Sequence, residues 1–157
     1  MSSLRRTAKQ ATILLVEDDP GDQELTRRAL QQDVLRTDLR IVSDGKEALD
    51  YLRREGAFTN PEDSPRPDLI LLDLNMPRLD GRQVLERVRE DPNISRIPVI
   101  ALTTSDEEED VVRSYALGCK SFIKKPIEVE TFIQSIRELQ HYWFELVTLP
   151  PDHPQRR

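Results

Sequence analysis

Five short apolar runs, each followed by a helical stripe, constrain this chain more than any other feature. Ile13 to Val16, Leu39 to Val42, Leu69 to Leu72, Ile97 to Leu102 and Ser121 to Ile123 read as strands rich in Val, Ile and Leu. Strands that are apolar on both faces belong in a parallel sheet covered by helices. Amphipathic stretches alternate with them at about 20–33, 44–55, 81–90, 105–117 and 127–146. The last carries Phe132, Ile136, Leu139 and Trp143 at steps of three and four, the spacing of a helical face. Helix starts are marked as well. Asp19 before Pro20 suits an N-cap with proline at the first helical position. Asp44 with Glu47, Asp80 with Gln83, and Ser105 with Glu108 resemble capping boxes. Repeated β-then-α units imply right-handed crossovers, so the predicted class is α/β, a doubly wound five-stranded parallel sheet with five helices.

Two segments fall outside this rhythm. Residues 56–67 carry Gly56, Pro61, Pro65 and Pro67 and are predicted to form a loop inserted between the second helix and third strand. The tail from Leu149 carries Pro150, Pro151 and Pro154. Six of the eleven prolines lie in these two places, which marks them as loop and tail rather than core. The expected organisation is an N-terminal tail over 1–10, one domain over 11–147 and a C-terminal tail over 148–157.

Composition narrows the function classes. With 29 acidic and 23 basic residues the formal net charge is −6, against a nucleic-acid-binding face as the main activity. No apolar run is long enough to span a bilayer, and Arg5, Arg6 and Lys9 have no apolar stretch behind them to make a signal peptide. One cysteine, Cys119, excludes an internal disulfide and a multi-cysteine zinc site. The expectation is a cytoplasmic protein with neither nucleic acid nor membrane as its partner.

In open α/β sheets ligands bind at the carboxyl ends of the strands. Those ends carry Glu17 and Asp18 after the first strand, Asp73 after the third, Thr103 after the fourth and Lys125 after the fifth. Helix capping does not absorb them. Asp19 suits the first cap, which leaves Glu17 and Asp18 surplus. Asp73 lies too far ahead of the third helix, Ser105 displaces Thr103 as a cap, and Lys125 accepts no amide proton. Three carboxylates crowded together raise one another's pKa unless a cation intervenes. An all-oxygen donor set calls for a hard ion, with Mg²⁺ the best match. A carboxylate beside a metal, an ammonium and a hydroxyl is equipped to attack phosphorus and form an aspartyl-phosphate.

At these residues the chain resembles the receiver domain of two-component response regulators. The matching segments are Ile13 to Asp19 (ILLVEDD), Asp73 to Gly81 (DLNMPRLDG), Ala101 to Thr104 (ALTT) and Lys124 to Pro126 (KKP). The resemblance covers about 11–140 and implies a flavodoxin-like strand order 2-1-3-4-5. It also implies that Asp73 is the phosphoacceptor, served by a histidine of a sensor kinase. Asp18 would bind Mg²⁺ directly, Glu17 through water, and Asn75 through its carbonyl. Lys125 would contact the phosphoryl group, in preference to Lys124, with Thr104 assigned to the binding group. The Lys125–Pro126 bond is usually cis in such proteins, and Gly81 would permit a tight turn before the third helix. Thr103 would swing towards the phosphoryl oxygens and Phe122 would fill the space it leaves, giving a two-state switch.

Little chain remains outside the expected domain, so output is expected to be protein binding by a single-domain regulator that catalyses only its own phosphorylation and dephosphorylation. The insertion at 56–67 and the extension from His141 to Val147 resemble small regulators paired with bacterial phytochromes, which makes a bacteriophytochrome the implied kinase. Trp143 and Phe144, with Leu146 and Val147, leave apolar area to bury. A homodimer or the kinase is the expected occupant, with packing back on the chain's own sheet as the alternative. Three rivals are weighed against this function. A haloacid-dehalogenase-type phosphatase needs a second acid where Asn75 stands. A flavin module would need a phosphate-cradling loop that five glycines do not form, and a pseudo-receiver would lack polar residues present here.

Overall fold

The computed structural model of the chain describes residues 11–31, 37–74, 76, 81–103, 118–119 and 121–138. In chain order these form β1 (Ala11–Val16), α1 (Pro20–Leu30), β2 (Thr37–Val42), α2 (Gly45–Arg53), β3 (Leu69–Asp73), α3 (Gly81–Glu90), β4 (Val99–Thr103), β5 (Ser121–Lys124) and α4 (Val129–Glu138). The five strands make one sheet in the order β2-β1-β3-β4-β5, and every neighbouring pair is parallel. This is the doubly wound arrangement expected from the alternation. Asn75, Thr104, the Asp80 and Ser105 caps, the helix expected at 105–117, the His141–Val147 extension and both tails lie outside the described residues.

Alternation within each strand divides the core into two layers. Leu14, Val16, Ile70, Leu72, Val99 and Ala101 face α2 and α3, where they meet Ala48, Leu49, Leu52, Val84, Leu85 and Val88. Ile13, Leu15, Leu69, Leu71, Ile100 and Leu102 face the other way, onto Leu30 of α1 and Phe132 of α4. β1, β3 and β4 are buried along almost their whole length, as continuous apolar runs require. β2 is the thinner edge, with only Val42 fully buried.

Local chemistry sets the element ends. Asp19 accepts a hydrogen bond from the Asp22 amide and Pro20 opens α1. Asp44 accepts from the Glu47 amide at 2.8 Å, while the Glu47 carboxylate reaches back to the Ser43 amide. That capping box therefore closes one residue earlier than the usual reciprocal pair. α2 ends at Arg54 in a left-handed conformation (φ 57°). The fourth strand begins at Val99 rather than Ile97. Ile97 instead donates its amide to the Ile94 carbonyl in a turn, and Pro98, lacking an N–H, offers β3 only its carbonyl.

The insertion at 56–67 is more than a loop laid on the surface. It contains two short 3₁₀ turns, Gly56–Phe58 and Pro61–Asp63. Ser64 is buried, and its hydroxyl lies 3.1 Å from the Phe58 carbonyl and 3.2 Å from that of Asn60. Phe58 packs against Tyr51, whose hydroxyl donates to the Pro65 carbonyl at 2.7 Å. The prolines mark the turns correctly, but the segment also seals one margin of the core.

Candidate functional site

The direction of chain winding reverses between β1 and β3, the kind of switch point at whose carboxyl ends such sheets bind ligands. Glu17 follows β1 directly. Its amide donates to the Val42 carbonyl, so the backbone is still sheet-like when the acidic side chain is delivered. Gln23 of α1 donates to the Glu17 carbonyl at 2.7 Å, and the Asp19 amide donates to the Glu17 carboxylate. Asp73 is the last residue of β3, held between β1 and β4. Glu17 and Asp73 are both buried, at 0% and 2% exposure, whereas Asp18 is more open to solvent.

The three carboxylates converge as the sequence predicts. One oxygen from each of Glu17, Asp18 and Asp73 lies within 4.8 Å of the others. Burial, opposed by the Lys125 hydrogen bond and reinforced by the charge of Asp73, leaves the Glu17 carboxyl pushed up to about 7. Such a pocket is short of positive charge. A hard, oxygen-seeking divalent cation fits its donor set, because each carboxylate offers an anionic oxygen and, among the described residues, no sulfur or imidazole joins the group.

Lys125 enters from β5. Its amide donates to the Thr103 carbonyl at 2.7 Å, which brings the loop after β5 against the end of β4. The Lys125–Pro126 peptide is cis, as the resemblance implies. Its side chain is 8% exposed, and the ammonium lies 2.9 Å from Glu17, 2.8 Å from Asp22 and 3.4 Å from Asp73. Burial would lower its pKa, but the hydrogen bonds to Asp22 and Glu17 and the charge of Asp73 outweigh that and push it up. Lys124, by contrast, is exposed. Thr103 is buried at the end of β4, and Phe122 is half-buried against the layer facing α2 and α3.

Two features escape the sequence reading. Asp22 joins the charge cluster from the first turn of α1. Its only sequence signal is its position in that turn, where an acid is already favoured by the helix dipole. Gly81 is needed for closeness, and the turn before it lies outside the described residues. It has no left-handed φ, and a Cβ there would collide with the Asp73 carbonyl and Leu74 Cα. The start of α3 is thus pressed directly on the acidic end of β3. Cys119 is buried, its thiol donating to the Ser121 carbonyl; burial pushes its pKa up and keeps it protonated.

A five-stranded parallel sheet that gathers three carboxylates and a lysine at its switch point defines the receiver class of signalling domains. Comparison with known proteins agrees. The family model for the response regulator receiver domain matches residues 13–137, and the chain belongs to that family. Response regulator Rcp1 of Synechocystis sp. (strain ATCC 27184 / PCC 6803 / Kazusa) is 41% identical over 138 residues, spanning 88% of this chain and 92% of the relative. The bacteriophytochrome response regulator AtBRR superposes with a TM-score of 0.75 at 43% identity, covering 83% of this chain and 93% of that one. The phosphorylated cyanobacterial phytochrome response regulator RcpA gives 0.72 at 40% identity, covering 90% and 99%. A crystal form of Rcp1 holds Mn²⁺ (TM-score 0.69, 40% identity, covering 89% and 99%). The chain is therefore a receiver response regulator, similar to regulators associated with phytochromes. No helix among its described residues is long and apolar enough to cross a membrane.

Proposed function

We propose that Asp73 is the phosphoacceptor of this regulator and that its donor is a phosphohistidine of a sensor kinase. The convergence of Lys125 with Glu17 and Asp73, from strands far apart in sequence, is the observation that carries this reading. A carboxylate oxygen of Asp73 forms the new O–P bond as the P–N bond to the histidine breaks. The electron pair returns to the imidazole, which takes up a proton from solvent. Lys125 neutralises phosphoryl oxygens during the transfer, and the Thr103 hydroxyl donates to one of them afterwards. Thr104 is assigned to the same binding group.

Glu17, Asp18 and Asp73, with the Asn75 carbonyl, are the residues that would hold Mg²⁺. When bound, the ion supplies charge neutralisation for the developing phosphoryl. The Mn²⁺-bound Rcp1 crystal form and the all-oxygen donor set support this choice. Phosphorylation adds charge of about −1.5 to −2 and new acceptor oxygens. The switch then runs through Thr103 and Phe122 to a protein-binding surface, with no substrate turned over beyond the chain's own acyl phosphate.

The receiver unit is read as spanning 11–147, with 56–67 as its insertion, in a cytoplasmic setting. A bacteriophytochrome is the favoured kinase class, because the similar proteins AtBRR and RcpA are phytochrome response regulators. A homodimer through the Trp143–Phe144 segment is the favoured assembly. Incubation with acetyl phosphate and Mg²⁺ tests the core of the reading. One phosphoryl group is expected by intact-mass measurement, and none on Asp73→Asn. Equal labelling of that variant would move the acceptor elsewhere.

A further inference from the structure

An ammonium has three protons to donate, and Lys125 has three carboxylates around it. The three contacts are unequal. Asp22 and Glu17 lie at 2.8 and 2.9 Å, the range of strong charge-assisted hydrogen bonds, while Asp73 lies at 3.4 Å, beyond it. Glu17 belongs to the acidic pocket itself. Asp22 does not. It stands on the first turn of α1, its side chain 29% exposed, and is absent from the group of carboxylates close enough to share a metal ion. Its fold role is also slight, since its amide is held by Asp19 whatever side chain it carries.

We propose that Asp22 is a positioning residue that competes with the acceptor site for Lys125. It draws the ammonium towards α1 and off Asp73, so it opposes the phosphorylated state and sets how readily that state is populated. The inference rests on the phosphoacceptor reading above. A phosphoryl group on Asp73 must recruit Lys125 against the pull of Asp22. A chain without that pull gives the ammonium up more easily. By linkage, whatever favours the Lys125–Asp22 pair disfavours the phosphoryl state by the same factor.

The test uses the full chain and the beryllium trifluoride anion, a phosphoryl mimic whose binding reaches equilibrium, at saturating Mg²⁺. Asp22→Asn is expected to tighten the apparent Kd about fivefold, the size of one partly exposed ion pair. Two controls separate competition from the mere loss of a negative charge. Glu24→Gln removes a carboxylate from the same helix that pairs with Arg27 and Arg28 rather than with Lys125, and it should change Kd less than twofold. In a Lys125→Gln background, Asp22→Asn should have no further effect, which a purely structural role of Asp22 would not produce. An unchanged or weaker Kd for Asp22→Asn would overturn the inference while leaving the phosphoacceptor reading intact. So would an equal gain in Glu24→Gln, or a gain that persists without Lys125. A wild-type chain that takes up no beryllium trifluoride would overturn both.

Discussion

The acidic rim and the 56–67 insertion are both polar regions laid against the same sheet, yet they solve burial in opposite ways. At the insertion every buried polar group is neutral and paired: Ser64 with two carbonyls, Tyr51 with the Pro65 carbonyl. At the rim, two buried carboxylates share one lysine with a third acid. Neutral pairs satisfied inside the chain add to stability and ask nothing of the solvent. A cluster with surplus negative charge is costly until something positive arrives. The first arrangement holds a segment in place, and the second has the donor set that a divalent cation would take. Strain between like charges at the rim is therefore a functional signature that the insertion lacks.

The contrast is broken most directly by removing the shared cation. Lys125→Met should cost about 3–5 kcal/mol in urea unfolding at pH 8, because Glu17 and Asp73 then face each other buried and uncompensated. The loss should shrink when Mg²⁺ is added, since the ion replaces the missing charge, and again at low pH as Glu17 takes a proton. A change below about 1 kcal/mol would show that the rim is better solvated than its burial implies.

The second effect is a slope. Glu17 is raised from an ordinary 4.5 to about 7, chiefly by burial. Between those values the folded chain binds a proton that the unfolded chain has released. Stability contributed by this group is therefore present below pH 4.5 and lost as pH rises towards 7, by at most about 1.4 kcal/mol per pH unit. Thermal unfolding of metal-free protein from pH 5 to 8 should show the decline, and Glu17→Gln should remove most of it. A wild-type profile indistinguishable from that of Glu17→Gln would mean that Lys125 fully compensates the buried carboxylate.

Much of the fold and of the acidic site is legible in the amino-acid sequence. Continuous apolar strands such as Leu69–Leu72 admit only a covered parallel sheet, and the sheet then dictates which ends face the ligand crevice. Glu17, Asp18, Asp73 and Lys125 were found by reading those ends, and three-dimensional proximity follows from topology alone. Asp22 was not found, because an acid in a first helical turn carries the same sequence signature whether it meets a dipole or a lysine 103 residues away. The inward role of the insertion was hidden for a related reason. Proline content reports local turns, but the contacts of Tyr51 and Phe58 depend on where those turns come to rest. Gly81 is legible as a turn residue, whereas the close approach of α3 to β3 leaves no trace in a single sequence.

The insertion supplies the smaller effects, and they sharpen the comparison by sparing the chemistry. Ser64→Ala should destabilise by about 1 kcal/mol, since the Phe58 and Asn60 carbonyls lose a shared hydroxyl donor while Asn60 keeps the Asp63 amide. Tyr51→Phe should cost about 1 kcal/mol, having lost only the bond to Pro65. Neither change should alter phosphoryl uptake from acetyl phosphate, since neither residue touches the rim. Tyr51 adds a test of its own, because burial leaves its hydroxyl pushed up to about 12 from 10. The folded chain keeps that proton between pH 10 and 12 while the unfolded chain loses it, so stability contributed there falls as pH rises through the interval. Wild type should therefore lose its stability advantage over Tyr51→Phe as pH rises through the interval, and the tyrosinate absorbance lost in the variant should be a component that titrates above pH 10. If Tyr51→Phe instead slowed phosphoryl uptake severalfold at unchanged stability, the insertion would be coupled to the rim, and the division between a holding region and a reacting one would fail.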